Sequence, residues 1–263
     1  MTNNRSYSEV ANFEELARSF GAVAAEYDRG RPGYPVELFD EVERLSGRSL
    51  KGARVLDVGA GTGIATRLLA ARGADVVAVE PFAGMAAQFL ASSPALPLVR
   101  GNGDELPFHD HSADLITYAQ AFHWTRPEAS VPEAIRVLRP GGALATWWNV
   151  LDETVPWVRA RVLRMTGALP DRYHGYGRIA EHTGHFAPAG LEVSRAVLRW
   201  ERRVTVDQVI DNLTSRSFMA SLAPEEREPL LAVEREALLA DFPDGLVVEP
   251  YLLDLTVART PAA

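Results

Sequence analysis

The sequence predicts an α/β protein with a doubly wound, mostly parallel sheet of seven strands, extended by a helical lid and cap insertions. Three observations lead there. Short apolar runs alternate with helical patterns between residues 50 and 150, the first run ends in a glycine-rich turn that opens a helix, and the second run ends in an acid. Strands alternating with helices argue for a parallel sheet covered on both faces, and ligands in such sheets sit beyond the carboxyl ends of the strands.

Taken in order, residues 13–27 and 36–46 read as helices, broken by Arg29-Gly30-Arg31-Pro32-Gly33-Tyr34-Pro35. The core then runs strand 54–58, helix 63–72, strand 75–79, helix 83–92, short strand 96–99 and strand 114–119. A helix follows with Val131, Ile135 and Leu138 on one face; Pro140-Gly141-Gly142 is expected to end it before a strand at 143–148. Residues 152–185 lack a clean period, and this part of the chain carries Trp157, Tyr173, Tyr176 and Phe186. Strand patterns at 191–200 and 251–259 bracket a helical stretch opened by Pro224-Glu225-Glu226, whose acids suit the positive end of a helix. In the last strand Tyr251, Leu253, Leu255 and Val257 fall on one side and Asp254 and Thr256 on the other, the pattern of an antiparallel strand with a half-exposed face. The expected organisation is one domain over 1–263: lid 1–49, core 50–150, cap insertions 151–190 and 203–245, and final strands 191–202 and 248–260.

The most informative stretch is Val55-Leu56-Asp57-Val58-Gly59-Ala60-Gly61-Thr62-Gly63. Glycines at three alternate positions let main chain approach a ligand closely and permit positive φ. No Lys or Arg lies inside the turn, which suits a ligand with a cationic head and a ribose better than one carrying phosphates. A dinucleotide turn needs its third glycine where Ile64 stands, and a phosphate-binding P-loop needs a Gly-Lys-Ser/Thr ending that is missing. The next strand, Asp75-Val76-Val77-Ala78-Val79, stops at Glu80-Pro81, about 20 residues past the turn, where α/β nucleotide folds hold a ribose diol.

Composition sets limits. The 263 residues are 47% hydrophobic and 24% charged, ordinary for a globular chain long enough to bury a full core. Net charge is −8 and Lys51 is the single lysine, so no basic face is expected and nucleic acid is excluded as a substrate class. No apolar run is long enough to span a membrane and no signal-peptide pattern opens the chain. Zero cysteines exclude disulfides, thiolate catalysis and cysteine-ligated metals, and the expected compartment is the cytoplasm. His182-Thr183-Gly184-His185 has a metal-like spacing but no third ligand, so no metal is expected.

Residues 50–150 resemble a class I S-adenosylmethionine-dependent methyltransferase of the small-molecule group that includes the ubiquinone and trans-aconitate enzymes. The matching stretches are VLDVGAGTG (55–63), VVAVEP (76–81), the LPF turn (106–108) and RVLRPGG (136–142), while 20–35 resembles the lid of the trans-aconitate branch. The resemblance implies a Rossmann-like methyltransferase fold, S-adenosyl-L-methionine as cofactor and a small-molecule acceptor, oxygen favoured over nitrogen or carbon. It implies that Asp57, with main chain at Gly59, Ala60 and Gly61, holds the methionine end. Glu80 and Pro81 would meet the ribose and Met85 the adenine. Asn102 and Gly103, with Asp104 as substitute, would meet the adenine amino group, and Gln120 would lie beside the methionine moiety. Arg31 is the candidate for the methionine carboxylate, unless it pairs with Asp28 or Asp40, and Tyr27 would cover the sulfonium. His123 is the candidate catalytic base, since an imidazole titrates near working pH. Trp124, Trp148 and Asn149 are candidates for binding the acceptor, with Asp152 or Glu153 as second-choice bases. An S-adenosylmethionine-binding protein without methyl transfer remains the alternative, with an NAD-dependent oxidoreductase behind it. Oligomeric state stays open.

Overall fold

The computed structural model describes residues 30–170 and 183–262. The expected helix at 13–27, Tyr27, Tyr173, Tyr176, His174 and His182 lie outside them. The strands are β1 (Arg54–Val58), β2 (Asp75–Val79), β3 (Leu98–Val99), β4 (Ala113–Ala119), β5 (Leu138–Leu151), β6 (Glu192–Thr205) and β7 (Leu246–Arg259). They form one seven-stranded sheet in the order β3-β2-β1-β4-β5-β7-β6. Strands β1 to β5 are parallel, and β7 runs antiparallel between β5 and β6. The helices are α1 (Val36–Ser46), α2 (Ile64–Ala71), α3 (Ala83–Ser92), α4 (Pro127–Val137), α5 (Pro156–Ala168), α6 (Val206–Thr214), α7 (Ser217–Ala220) and α8 (Pro224–Asp241).

Two apolar layers cover the sheet, one per face. Period-2 geometry sends Leu56, Ile116, Leu144 and Trp148 into the layer under α4, and Val55, Leu115, Ala145 and Trp147 into the layer under α1 and α2. Central strands buried on both faces read as unbroken apolar runs, which is why β1 and β4 were plain in the sequence.

Three expectations need correction. The helix that was to end at Pro140-Gly141-Gly142 stops at Val137, because Leu138 takes extended backbone (φ −69°, ψ 139°) and pairs with Ala113. Pro140-Gly141-Gly142 lies inside β5, at a register shift between Ala113 and Leu115 on β4. The last strands are also longer than expected: β5, β6 and β7 have 14 residues each, and β7 sits one place in from the edge. Burial in β7 alternates from Val247 to Leu255 and then becomes continuous through Ala258, so its exposed face is confined to the first part.

The upper parts of β6 and β7 carry the cap. Thr205 and Gln208 exchange side-chain and main-chain hydrogen bonds to start α6, and Val209, Leu213, Leu231, Leu238 and Met165 close a third apolar cluster over Val204 and Val247. A buried ionic cluster joins this cap to the sheet. Glu234 of α8 and Glu249 of β7 are both 0% exposed; Arg161 of α5 lies 3.3 Å from Glu234 and 3.9 Å from Glu249. Arg164 meets Glu234 at 2.9 Å and Arg202 meets Glu249 at 2.7 Å. Among the described residues no helix is long and apolar enough to cross a membrane.

Candidate functional site

The cleft opens where the fold predicts, beyond the carboxyl ends of β1, β2 and β4. It encloses about 740 Å³ including its open mouth, a size typical of small-molecule sites. Gly59 and Gly61 form one wall, Glu80, Pro81 and Met85 a second, Asn102 and Gly103 a third, and Gln120 and Trp124 a fourth. These nine residues were singled out in the sequence and the fold brings them together.

The turn after β1 is built so that its amides face inward. Gly59 and Ala60 both donate to the Val79 carbonyl, at 2.8 and 3.1 Å, and Gly63 donates to Ala60 at 2.9 Å. Gly61 N–H donates to Glu80 Oε2 at 2.8 Å. A phosphate-binding loop must aim amides at its ligand; these are already committed to β2 and to the turn itself. Gly59 and Gly61 take φ of 70° and 57°. A Cβ on Gly59 would fall 2.5 Å from Ala121 Cβ, whereas one on Gly61 would point into open space, so Gly59 is needed for packing and Gly61 for ligand access.

Glu80 is 2% exposed, yet it lines the cleft. Its Oε1 accepts from Phe82 N–H and its Oε2 from Gly61 N–H, both at 2.8 Å. Burial raises its pKa above the usual carboxylate range, opposed by those two amide bonds and by Arg100. Two anchored oxygens at a cleft wall can each still accept another hydrogen bond, as a vicinal diol requires.

Asp57 lies behind the turn and does not line the cleft. It is 0% exposed, its Oδ2 accepts from Thr66 Oγ1 at 2.6 Å and its Oδ1 from Thr117 Oγ1 at 2.9 Å. The Thr66 amide also donates to it, so the carboxylate caps the start of α2 from a neighbouring strand. Burial outweighs these bonds and pushes its carboxyl up to about 6. In this position the carboxylate supports the turn and the start of α2.

Other polar candidates are likewise bonded within the chain. Asn102 Oδ1 already accepts from the amides of Asp104 and Glu105 at 2.9 and 3.1 Å, so the amide group left to a ligand is the donor Nδ2. Asp104 is held by Arg126, through main-chain N–H at 2.8 Å and Nε at 2.9 Å, and starts α4. Arg31 donates to the Ser215 carbonyl at 3.4 Å, while Asp40, one of its expected partners, pairs with Arg72 at 2.6 Å. Asn149 is 0% exposed with both ends of its amide in use, donating to Gly33 O and accepting from Trp200 Nε1, each at 3.0 Å. That places it between β5, β6 and the segment that leads into α1, and it does not line the cleft. Asp152 is tied to Thr154 and Arg199, and its pKa is lowered by the Thr154 bonds first.

His123 stands on the turn Phe122–Trp124, between Ala121 and Trp124, both of which line the cleft. Trp148, 2% exposed and packed in the core, donates its indole N–H to His123 Nδ1 at 3.3 Å. The neutral ring therefore carries its proton on Nε2. Accepting a second proton at Nδ1 would set two donors face to face, so the base role requires that indole bond to break.

Sequence reasoning missed Phe82, Tyr118 and Thr125, which also line the cleft. Phe82 directly follows Glu80-Pro81 and could have been taken as a cover for a planar group. Tyr118 looked like one more apolar residue of a buried strand.

Comparison with known proteins gives the same family. A methyltransferase-domain family model matches residues 56–146. An uncharacterized methyltransferase of Mycobacterium tuberculosis is 36% identical over 243 residues, 90% of this chain and 94% of that protein. A demethylmenaquinone methyltransferase of Beutenbergia cavernae is 39% identical over 107 residues, 40% of this chain and 43% of its own length. A solved structure from Anaeromyxobacter dehalogenans, assigned as a type II methyltransferase, superposes with a TM-score of 0.69 at 26% identity, covering 89% of this chain and 99% of that one. The likeness extends well past the core into lid and cap, and the chain belongs to the class I S-adenosylmethionine-dependent methyltransferases.

Proposed function

We propose that the chain binds S-adenosylmethionine in the cleft and moves its methyl group to a small-molecule acceptor, with oxygen favoured over nitrogen or carbon. One observation carries this: the amides of Gly59, Ala60 and Gly61 donate to the Val79 carbonyl and to Glu80, so the turn offers a carboxylate where a phosphate ligand would need donors. Such a surface favours a cationic, diol-bearing ligand.

Within that ligand's site, Glu80 would accept from the ribose hydroxyls, Met85 and Phe82 would cover the base, and Asn102 Nδ2 would donate to a ring nitrogen. Main chain at Gly59 and Gly61, with Gln120 opposite, would hold the amino-acid end. When bound there, the cofactor supplies an electrophilic methyl on a sulfonium. The chain aligns the two partners, an effect that can supply roughly 7–11 kcal/mol, and excludes water from a charge that is dispersed during transfer. Aromatic faces such as Trp124 suit the cation. His123, protonated on Nε2, would donate to the acceptor and orient it, which suits a carboxylate oxygen with no proton to lose; a hydroxyl acceptor would release its proton to water or to His123 Nδ1 once the Trp148 bond has opened.

The net charge of −8 supports a small acceptor over nucleic acid, and the lack of cysteine fits the cytoplasm. The test is incubation of the purified chain with deuteromethyl-labelled S-adenosylmethionine and a pooled metabolite extract, followed by mass spectrometry. A labelled small product is expected. Cofactor binding without label transfer to any compound would favour a binding protein instead.

A further inference from the structure

Residues 30–35 form a strap that leads into α1, and side chains from several parts of the chain hold it. Arg202 of β6 donates to Gly30 O at 3.1 Å, and Asn149 of β5 donates to Gly33 O at 3.0 Å. The Tyr34 ring meets Trp147 of β5 edge-on at 5.8 Å between centroids, and Gln120 Nε2 donates to the Tyr34 hydroxyl at 3.4 Å. Three of these ties come from residues that do not line the cleft; Gln120 alone among the four does.

Gln120 is also one of two described non-glycine residues with positive φ, at 54°. Side chains adopt that conformation at a cost, and such residues persist only where their surroundings hold them. Here the hold is the Gln120 amide, bonded to the Trp147 carbonyl at 2.8 Å just past the end of β4. With its backbone fixed, the side chain has one wall of the cleft on one side and the strap on the other. Its bond to Tyr34 is roughly 0.4 Å longer than the usual N–H···O length, which leaves room to tighten.

We infer that Gln120 is a positioning residue that couples occupation of the cleft to the placement of the 30–35 strap, so that cofactor binding sets the strap before the acceptor enters. This rests on the proposed cofactor. A ligand beside Gln120 restricts its amide to the Tyr34 side and shortens that bond. Asn149 differs: buried away from the cleft, it pins the strap whether or not a ligand is present.

Hydrogen exchange of the full chain, read on peptides covering residues 33–40, tests this with and without saturating S-adenosylhomocysteine, alongside calorimetry of the same ligand. In the wild type the ligand should slow exchange at least ~10-fold. Tyr34→Phe should bind the ligand within ~3-fold of wild type yet reduce the slowing below ~2-fold. Gln120→Asn, whose shorter amide cannot reach Tyr34, should weaken ligand binding because Gln120 also lines the site, yet at full saturation it should likewise reduce the slowing below ~2-fold, and the double variant should lose no more of the slowing than either single one. Full slowing in either variant, additive losses, or ligand binding without slowing in the wild type would overturn the coupling alone. Absence of binding heat in the wild type would overturn the cofactor assignment and the coupling with it.

Discussion

Replacing Asp57 by Asn converts a buried charge into a neutral amide of the same shape, and the consequence for stability can be worked out. The carboxyl is pushed from 3.8 up to about 6 in the folded chain, burial being the largest cause, against the bonds from Thr66 and Thr117. The native state then keeps a proton that the unfolded chain has released between about pH 4 and pH 6, so stability falls as pH rises through that window. At about 1.4 kcal/mol per pH unit the full separation costs ~3 kcal/mol at neutral pH, of which about 2 kcal/mol accrues between pH 4.5 and 7.5. The amide fits the site. Its Oδ1 can keep the Thr66 bonds while Nδ2 donates to Thr117 Oγ1, whose own proton turns to the Leu56 carbonyl 3.4 Å away. Urea unfolding of both proteins at the two pH values is the assay. The variant should gain about 2 kcal/mol relative to wild type between the lower and the higher pH. Parallel pH profiles would refute the argument, because they would mean that Asp57 folds and unfolds with the same affinity for its proton.

Other substitutions separate packing from ligand access. Gly61→Ala should cost about 1–2 kcal/mol for its positive φ but weaken S-adenosylhomocysteine at least ~10-fold, because the new methyl enters the open cleft. Gly59→Ala should cost roughly 2–4 kcal/mol, since it adds a 2.5 Å approach to Ala121; equal losses for the two variants in thermal unfolding would contradict the assignment. Arg161→Met should destabilise by about 3 kcal/mol, the low end for a broken buried pair, because Arg164 and Arg202 still face Glu234 and Glu249. A loss below about 1 kcal/mol would show that the cluster does not hold the cap. Trp200→Phe leaves the buried Asn149 Oδ1 without its donor and should cost about 1–3 kcal/mol by denaturant titration.

The glycine turn, Glu80 and the strand–helix alternation were legible in the sequence because their chemistry is local. A bare turn after an apolar run, and an acid at the tip of the next, constrain backbone and ligand within some 20 residues. The internal partners of Asp57 and Asn149 were hidden for the opposite reason. A polar residue at a strand end looks the same whether it faces a ligand or ties two segments, and the deciding partners are distant: Thr117 is 60 positions from Asp57, and Gly33 is 116 from Asn149. The overlong β5, β6 and β7 were hidden likewise, since beyond the core strands they pair only with one another. Pro140-Gly141-Gly142 resembled a helix stop because glycine and proline mark turns and strand irregularities with the same letters.

The central claim is that the turn after β1 and Glu80, the acid just past β2, together select a cationic adenosyl ligand over a phosphate-rich one. Calorimetric titration of the purified chain with S-adenosylhomocysteine and, in parallel, with NAD tests it most directly. Saturable micromolar binding of the first, weakened at least ~10-fold in Glu80→Gln because an amide N–H would then face the Gly61 or Phe82 N–H, is the expected result. No heat with S-adenosylhomocysteine, or tighter binding of NAD, would contradict it.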